Sequence, residues 1–236
     1  MKKYLTTILW LLSFVLRGQD YSIPKMKLES NTAKGFSPKC WQVSDSIQGD
    51  LNKDQLDDIV FVLAKNDSLM MTDKYGFDYK VLPAVLVVAL MTESGKYMIS
   101  EMNKQILIDY NSPRTYYPPF NSMQIENNVL ILHFTFDYMN GNFYFYTYKF
   151  RSQKNQFVLI GADSEYMTRS DMDYQKASYN FLTRKWSWTT GIHSKYLDPT
   201  SVKETTEWFD LELKQLRTFS SMGLPGSWEI TKDKWL

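Results

Sequence analysis

The sequence predicts an all-β fold of antiparallel meanders with little helix. Two observations carry the prediction. Short apolar runs rich in β-branched and aromatic residues recur along the chain, and turn signals such as Ser94-Gly95 and Asn140-Gly141 stand between them. In the run over 129–137 the residues alternate, so that Leu130, Leu132, Phe134 and Phe136 share one face of an extended segment. Blade-like sheets of a partial propeller are the first architecture expected, a two-sheet β-sandwich the second.

The chain opens with Met1-Lys2-Lys3, a short apolar run over 4–16, and Arg17-Gly18. A basic start, an apolar centre and a small closing residue describe a secretory signal peptide over 1–18, so the expected location is secreted or periplasmic. That run is short for a bilayer span and no later one is longer, so no transmembrane segment is expected. Losing 1–18 removes Lys2, Lys3 and Arg17 and no acid, so 27 basic residues become 24 against 26 acidic ones, a net charge of −2. Such a balance offers no electrostatic basis for a nucleic-acid partner. The remaining 19–236 is long enough for a real core and reads as a single secreted domain, its two sheets divided near 111–121. Cys40 is the one cysteine, so no intrachain disulfide forms; beside Trp41 it reads as a small buried hydrophobe.

Residues 19–39 are polar and broken by Pro24, Gly35 and Pro38, which predicts a loosely held segment with at most a short edge strand. A strand is expected over 58–64, then a loop over 65–80 with Met70-Met71 as its packing anchor. The run Ala-Val-Leu-Val-Val-Ala-Leu-Met over 84–91 has the length and β-branched content of a strand buried on both faces. Shorter strands over 96–101 and 105–109 complete a first meander. Three prolines forbid regular structure over 111–121, where Tyr116, Tyr117 and Phe120 either pin a crossover loop or form an aromatic platform for a sugar or peptide.

A second meander follows over 122–126, 129–137, 142–151 and 156–163. Its third strand is the most aromatic, and cross-strand packing alone accounts for Tyr144, Tyr146 and Tyr148. Residues 163–176 are polar and acidic and read as a solvated linker. A hairpin turning at 183–185 is expected over 178–188, and a last strand begins near 207, with Phe209, Leu211 and Leu213 alternating. The tail docks through Trp228 and Trp235.

Catalytic signatures are absent. His133 and His193 have no zinc-ligand spacing beside them, and there is no nucleophile elbow, P-loop or dinucleotide fingerprint. No catalytic residue is assigned. Acids such as Asp137, Glu165 and Asp171 leave one enzymatic alternative, a periplasmic carbohydrate-active enzyme with aromatic sugar platforms; a carbohydrate-binding protein is its non-enzymatic counterpart.

The run with recognisable chemistry is Gly49-Asp50-Leu51-Asn52-Lys53-Asp54-Gln55-Leu56-Asp57-Asp58-Ile59-Val60. Oxygen side chains at Asp50, Asn52, Asp54 and Asp58, with the carbonyl of Leu56, match the alternate-position donors that a tight loop offers calcium. Asp57, between the last two donors, should point away. An EF-hand would need flanking helices and a Glu where Phe61 stands, so the loop instead feeds a β-strand. The run resembles the calcium turn of FG-GAP repeats, the blades of integrin-type propellers. It is similar also to a group of secreted proteins, common in Bacteroidetes, with one such turn near the N-terminus. The resemblance covers residues 49–60 and implies a secreted binding or structural module, with calcium as the ion and a protein or glycan as the partner. Gln55 stands where the loop bends with φ > 0, at a cost of about 1 kcal/mol, and Asn52 removes one charge. Two outcomes are therefore open: calcium bound weakly, at roughly 10⁻⁴–10⁻³ M, or a turn held by Asx hydrogen bonds alone.

Overall fold

The computed structural model describes residues 23, 25–72, 76, 78–107, 119–138, 140–168, 173–192 and 204–236. The signal-peptide stretch, most of the proline–tyrosine loop (with Tyr116 and Tyr117), Asp171 and His193 lie outside the described residues. Among those described, every regular element is a strand or a short 3₁₀ turn, and every pairing is antiparallel, so the protein is all-β and built of meanders.

A first sheet has five strands in the order β1-β7-β6-β3-β2: β1 (Glu29–Ser30), β2 (Trp41–Gly49), β3 (Asp58–Lys65), β6 (Ala84–Met91) and β7 (Tyr97–Asn103). A small hairpin, β4 (Leu69–Thr72) and β5 (Asp78–Val81), interrupts it where a plain loop was expected. Met70 does not anchor that stretch; it is largely exposed. The second sheet is an uninterrupted seven-stranded meander that curves into a half-barrel. Its strands are β8 (Phe120–Glu126), β9 (Val129–Asp137), β10 (Asn142–Gln153), β11 (Gln156–Thr168), β12 (Asp173–Asn180), β13 (Lys185–Ile192) and β14 (Thr205–Asp210). A bulge at Lys149/Phe150 breaks the long β10–β11 ladder, and bulges add the local bend that curved sheets need. β15 (Glu229–Thr231) and β16 (Lys234–Trp235) close the chain as a hairpin.

The core follows from the alternation. Val60, Val62, Ala64, Leu86 and Val88 on one face of β3 and β6 meet Leu130, Leu132, Phe134, Tyr148 and Phe150 of the half-barrel in a single cluster. Ile59, Phe61, Leu63, Val85, Val87 and Ala89 form a second cluster on the opposite face. Hence 84–89 is buried on both faces, as its composition predicts, and Leu90 and Met91 at the strand's end are half-buried.

Over 33–36 that second cluster corrects the reading of 19–39 as loosely held. Ala33 and Phe36 on a 3₁₀ turn, with Trp41 at the start of β2, cover the outer face, and Phe36 stacks on Phe61 at 5.6 Å. Thr32 starts the turn by accepting the Gly35 N–H. Cys40 is another correction. It is exposed rather than buried, in a left-handed bend with φ 66° that turns the chain into β2.

The strand expected over 105–109 does not form at its described end. The buried side chain of Asn103 accepts the N–H groups of Gln105 and Ile106, both at 2.8 Å, and bends the chain away from β7 so that Ile106 and Leu107 enter the core. Conversely, the supposed linker over 163–176 is largely strand: β11 runs to Thr168 and β12 starts at Asp173. The last strand is shorter than expected. After Asp210 the chain leaves the sheet, the Leu211 N–H bonds to the Arg184 carbonyl, and Leu211 and Phe219 are buried.

Candidate functional site: an acidic turn and an aromatic cleft

Residues 50–57 connect β2 to β3, and Gly49 pairs with Asp58 at their base. The side chains do the folding. Asp50 accepts the Lys53 N–H (2.6 Å) and the Gln55 N–H (3.1 Å), Asn52 Oδ1 accepts the Asp54 N–H (3.0 Å), and Asp54 Oδ1 accepts the Leu56 N–H (2.9 Å). Asn52 also donates from Nδ2 to Asp54 Oδ2 at 2.8 Å. The bend comes out left-handed at Lys53 (φ 71°) and at Gln55 (φ 70°). Asp57 is exposed.

Asp58 behaves differently from the other three. It is fully buried, with Oδ2 accepting the Leu51 N–H and Oδ1 the Met91 N–H, both at 2.9 Å. It therefore ties the turn to β6. Burial holds its carboxyl above the usual carboxylate range; the two amide bonds pull the other way, and the charges of Asp54 and Asp50 add to the rise. A third tie reaches the other sheet, where Asn128 in the β8–β9 turn donates to the Asp50 carbonyl at 2.7 Å. Gly49 packs so closely on Ile125 that an added Cβ would lie 3.0 Å from Ile125 Cγ2.

For calcium the donor chemistry fits in part. Asp50, Asn52, Asp54 and Asp58 supply hard oxygens, each with lone-pair capacity beyond the amide it accepts. They are not drawn to one point, and among the described residues no three His, Cys, Asp or Glu side chains stand together as a metal cage. Gln55 supplies a direct check on the turn itself. Gln55→Gly should stabilise the protein by about 0.5–1 kcal/mol, because glycine meets no Cβ penalty at φ 70°. A higher melting midpoint is the expected readout.

The second feature is a cleft that no motif announces. Register sets which side chains line the concave face of the half-barrel. Tyr144 pairs with Phe136 and Tyr166; Tyr146 with Phe134 and Ser164; Ser164 with Ala177, and Ala177 with Trp188. Ser164 and Ala177 are short, so a trough opens between Tyr146 and Trp188. Its volume is about 270 Å³, and Tyr166, Gln175 and Tyr179 also line it. A neighbouring hollow of about 420 Å³ is bordered by Tyr138, Asn140, Asn142 and Pro225, and Tyr144, Tyr146 and Trp235 belong to both. The C-terminal hairpin forms the far wall, where Lys234 Nζ sits 3.2 Å from the centre of the Trp188 ring.

Of the two described acids named as catalytic candidates, Asp137 does not line this cleft, whereas Glu165 borders it from a position whose strand partners lie on the outer face. Asp137 pairs with Phe143, and Glu165 with Phe145 and Lys176, all on the outer face of the sheet. His133 is also on that face and shares a 3.0 Å hydrogen bond with Thr147. Comparison with protein-family models, with curated proteins and with solved structures finds no match.

Proposed function

We propose that the chain is a secreted or periplasmic, non-catalytic binding module whose turn over 50–58 takes calcium weakly and fixes the junction of the two sheets. The observation that carries the proposal is the turn's double attachment: Asp58 joins it to β6, and the Asp50 carbonyl joins it to the β8–β9 turn. The resemblance to FG-GAP calcium turns adds the ion. Asp50, Asn52, Asp54, Asp58 and the Leu56 carbonyl would hold it, and its charge would offset the repulsion that Asp50 and Asp54 exert on Asp58. Export follows from the residues at 1–18. The partner is a protein or a glycan, and Asp137, turned to the outer face, is not placed to serve the cleft as a hydrolytic acid.

Melting curves test the ion. At ~10 mM calcium, about a hundredfold above the tighter end of the expected range, the gain over chelator should approach 2.7 kcal/mol. Asp54→Ala should abolish that gain and leave the calcium-free midpoint within about 0.5 kcal/mol of the original, since the bonds it loses are exposed. Identical midpoints with and without calcium would contradict the proposal.

A further inference from the structure

The half-barrel's open end is lined with aromatic side chains, Tyr144, Tyr166, Trp188 and Trp235, that packing leaves partly exposed. Deeper on the concave face, Tyr148, Ala162, Tyr179 and Trp186 are buried under the first sheet and the C-terminal segment. One register step outward, the row Tyr146–Ser164–Ala177–Trp188 forms the trough, and Tyr144, Tyr166 and Gln175 lie beyond it. Trp235 stands on the opposite wall with about half its surface exposed. A fold that wanted only stability would fill this space; here small residues keep it open.

Three properties of the lining define what fits. First, the walls are aromatic, and tyrosine and tryptophan offer a flat apolar face with a polar handle. Second, the charges on the hairpin, Asp233 and Lys234, offset each other, Glu165 adds one carboxylate at the border that disfavours an anionic ligand, and the other polar groups are amides and hydroxyls from Ser164, Gln175, Asn140 and Asn142. Third, Tyr179 is 97% buried by its 3% exposure, lines the trough, and its hydroxyl has no hydrogen-bond partner among the described residues. Burial raises that phenol above its ordinary pKa, so it stays protonated and able to donate. An orphan hydroxyl at the bottom of a cleft calls for a ligand that is polar at its edge.

The geometry points to a binding site for a neutral saccharide, in which sugar rings lie against Trp235 and Tyr144 and a sugar hydroxyl pairs with Tyr179. A pyranose presents apolar C–H faces to the walls and hydroxyls at its rim, which both donate and accept. A proline-rich peptide would also suit aromatic walls, and its carbonyls could accept from Tyr179, but it brings no donor for the side-chain carbonyls of Gln175, Asn140 and Asn142, which sugar hydroxyls supply. The inference rests on the reading of the chain as a non-catalytic binding module and names that module's ligand.

The test is a titration of the purified protein, followed by tryptophan fluorescence. The probes are hexaoses of β-1,4-glucose, α-1,4-glucose, β-1,4-mannose and β-1,4-xylose, with decaproline as a separate arm. At least one hexaose should give a saturable change. Trp235→Ala should weaken it by at least about tenfold. Tyr179→Phe should weaken it by about fivefold, the worth of one neutral hydrogen bond, while the melting midpoint holds or rises because an unpaired buried hydroxyl is gone. A folded protein that binds none of the four hexaoses, or binds them unaffected by both variants, overturns the site. Saturable binding of decaproline alone overturns the saccharide and leaves the binding module standing. Shortening of a hexaose during incubation would instead overturn the non-catalytic reading.

Discussion

Asp58→Ala is expected to destabilise the protein by about 2–4 kcal/mol, because it strands the Leu51 and Met91 N–H groups without acceptors in a buried setting. For a chain of this size that is a fall of roughly 4–16 °C in melting midpoint. The loss is tempered by removal of a carboxylate whose burial is itself unfavourable. Asp58→Asn should cost less, since its amide oxygen keeps one acceptor while the NH₂ faces the other donor. The pH dependence has a definite sign. The folded carboxyl titrates above its unfolded value of 3.8, so the stability linked to Asp58 is fully present below that value and is lost as pH rises through the raised one. Relative to Asp58→Asn, the wild type should therefore gain stability as pH is lowered from neutral towards 3.8. A gap between the two proteins that does not change over that window would argue against a buried, strained carboxylate.

Asn103→Ala should do at least as much damage, about 3–5 kcal/mol. Asn103 is fully buried, and all its hydrogen-bonding capacity that matters is spent on backbone. Its Oδ1 accepts from Gln105 and Ile106, and its Nδ2 donates to the carbonyls of Phe219 (2.5 Å) and Met222 (2.9 Å). One side chain thus turns the chain at the end of β7 and clips the 3₁₀ turn Phe219–Ser221 of the C-terminal segment onto it. Alanine would orphan two donors and two acceptors at once. Asn103→Asp keeps the two accepted bonds but sets a carboxylate against two carbonyls, so it should not rescue. Urea unfolding at equilibrium measures both variants, and a loss below about 1 kcal/mol for alanine would mean that water replaces the network.

The sheets were legible where burial is one-sided or complete. Leu130, Leu132, Phe134 and Phe136 alternate because one face of β9 meets the core, and 84–91 is uniformly apolar because both faces do. β11 beyond Asp163 and the start of β12 carry no such signal. There the inward residues Ser164, Tyr166 and Gln175 line an open cleft rather than a core, so neither face of the sheet selects apolar side chains. The cleft was missed for the same reason that it exists. Trp188 and Trp235 were visible as residues, but their convergence is set by register and by the return of the tail, which spacing along the chain does not encode. The strand end at Asn103 was hidden by a side chain acting on backbone two and three residues on.

The turn was legible in its local shape and not in its attachments. Left-handed backbone at Gln55 follows from the loop pattern alone. The burial of Asp58 against Met91 and the reach of Asn128 to Asp50 depend on partners 33 and 78 residues away. Those attachments make the turn a junction between sheets, and an ion held there would act on the whole fold.

A crystal structure of the purified protein grown in millimolar calcium tests that role most directly. One ion is expected at the turn, within about 2.3–2.6 Å of oxygens from Asp50, Asn52, Asp54 and Asp58 and the Leu56 carbonyl. An ordered turn that keeps the amide bonds to Asp50, Asn52, Asp54 and Asp58, with no ion among them at that concentration, would contradict calcium binding and leave the turn as a hydrogen-bonded staple alone.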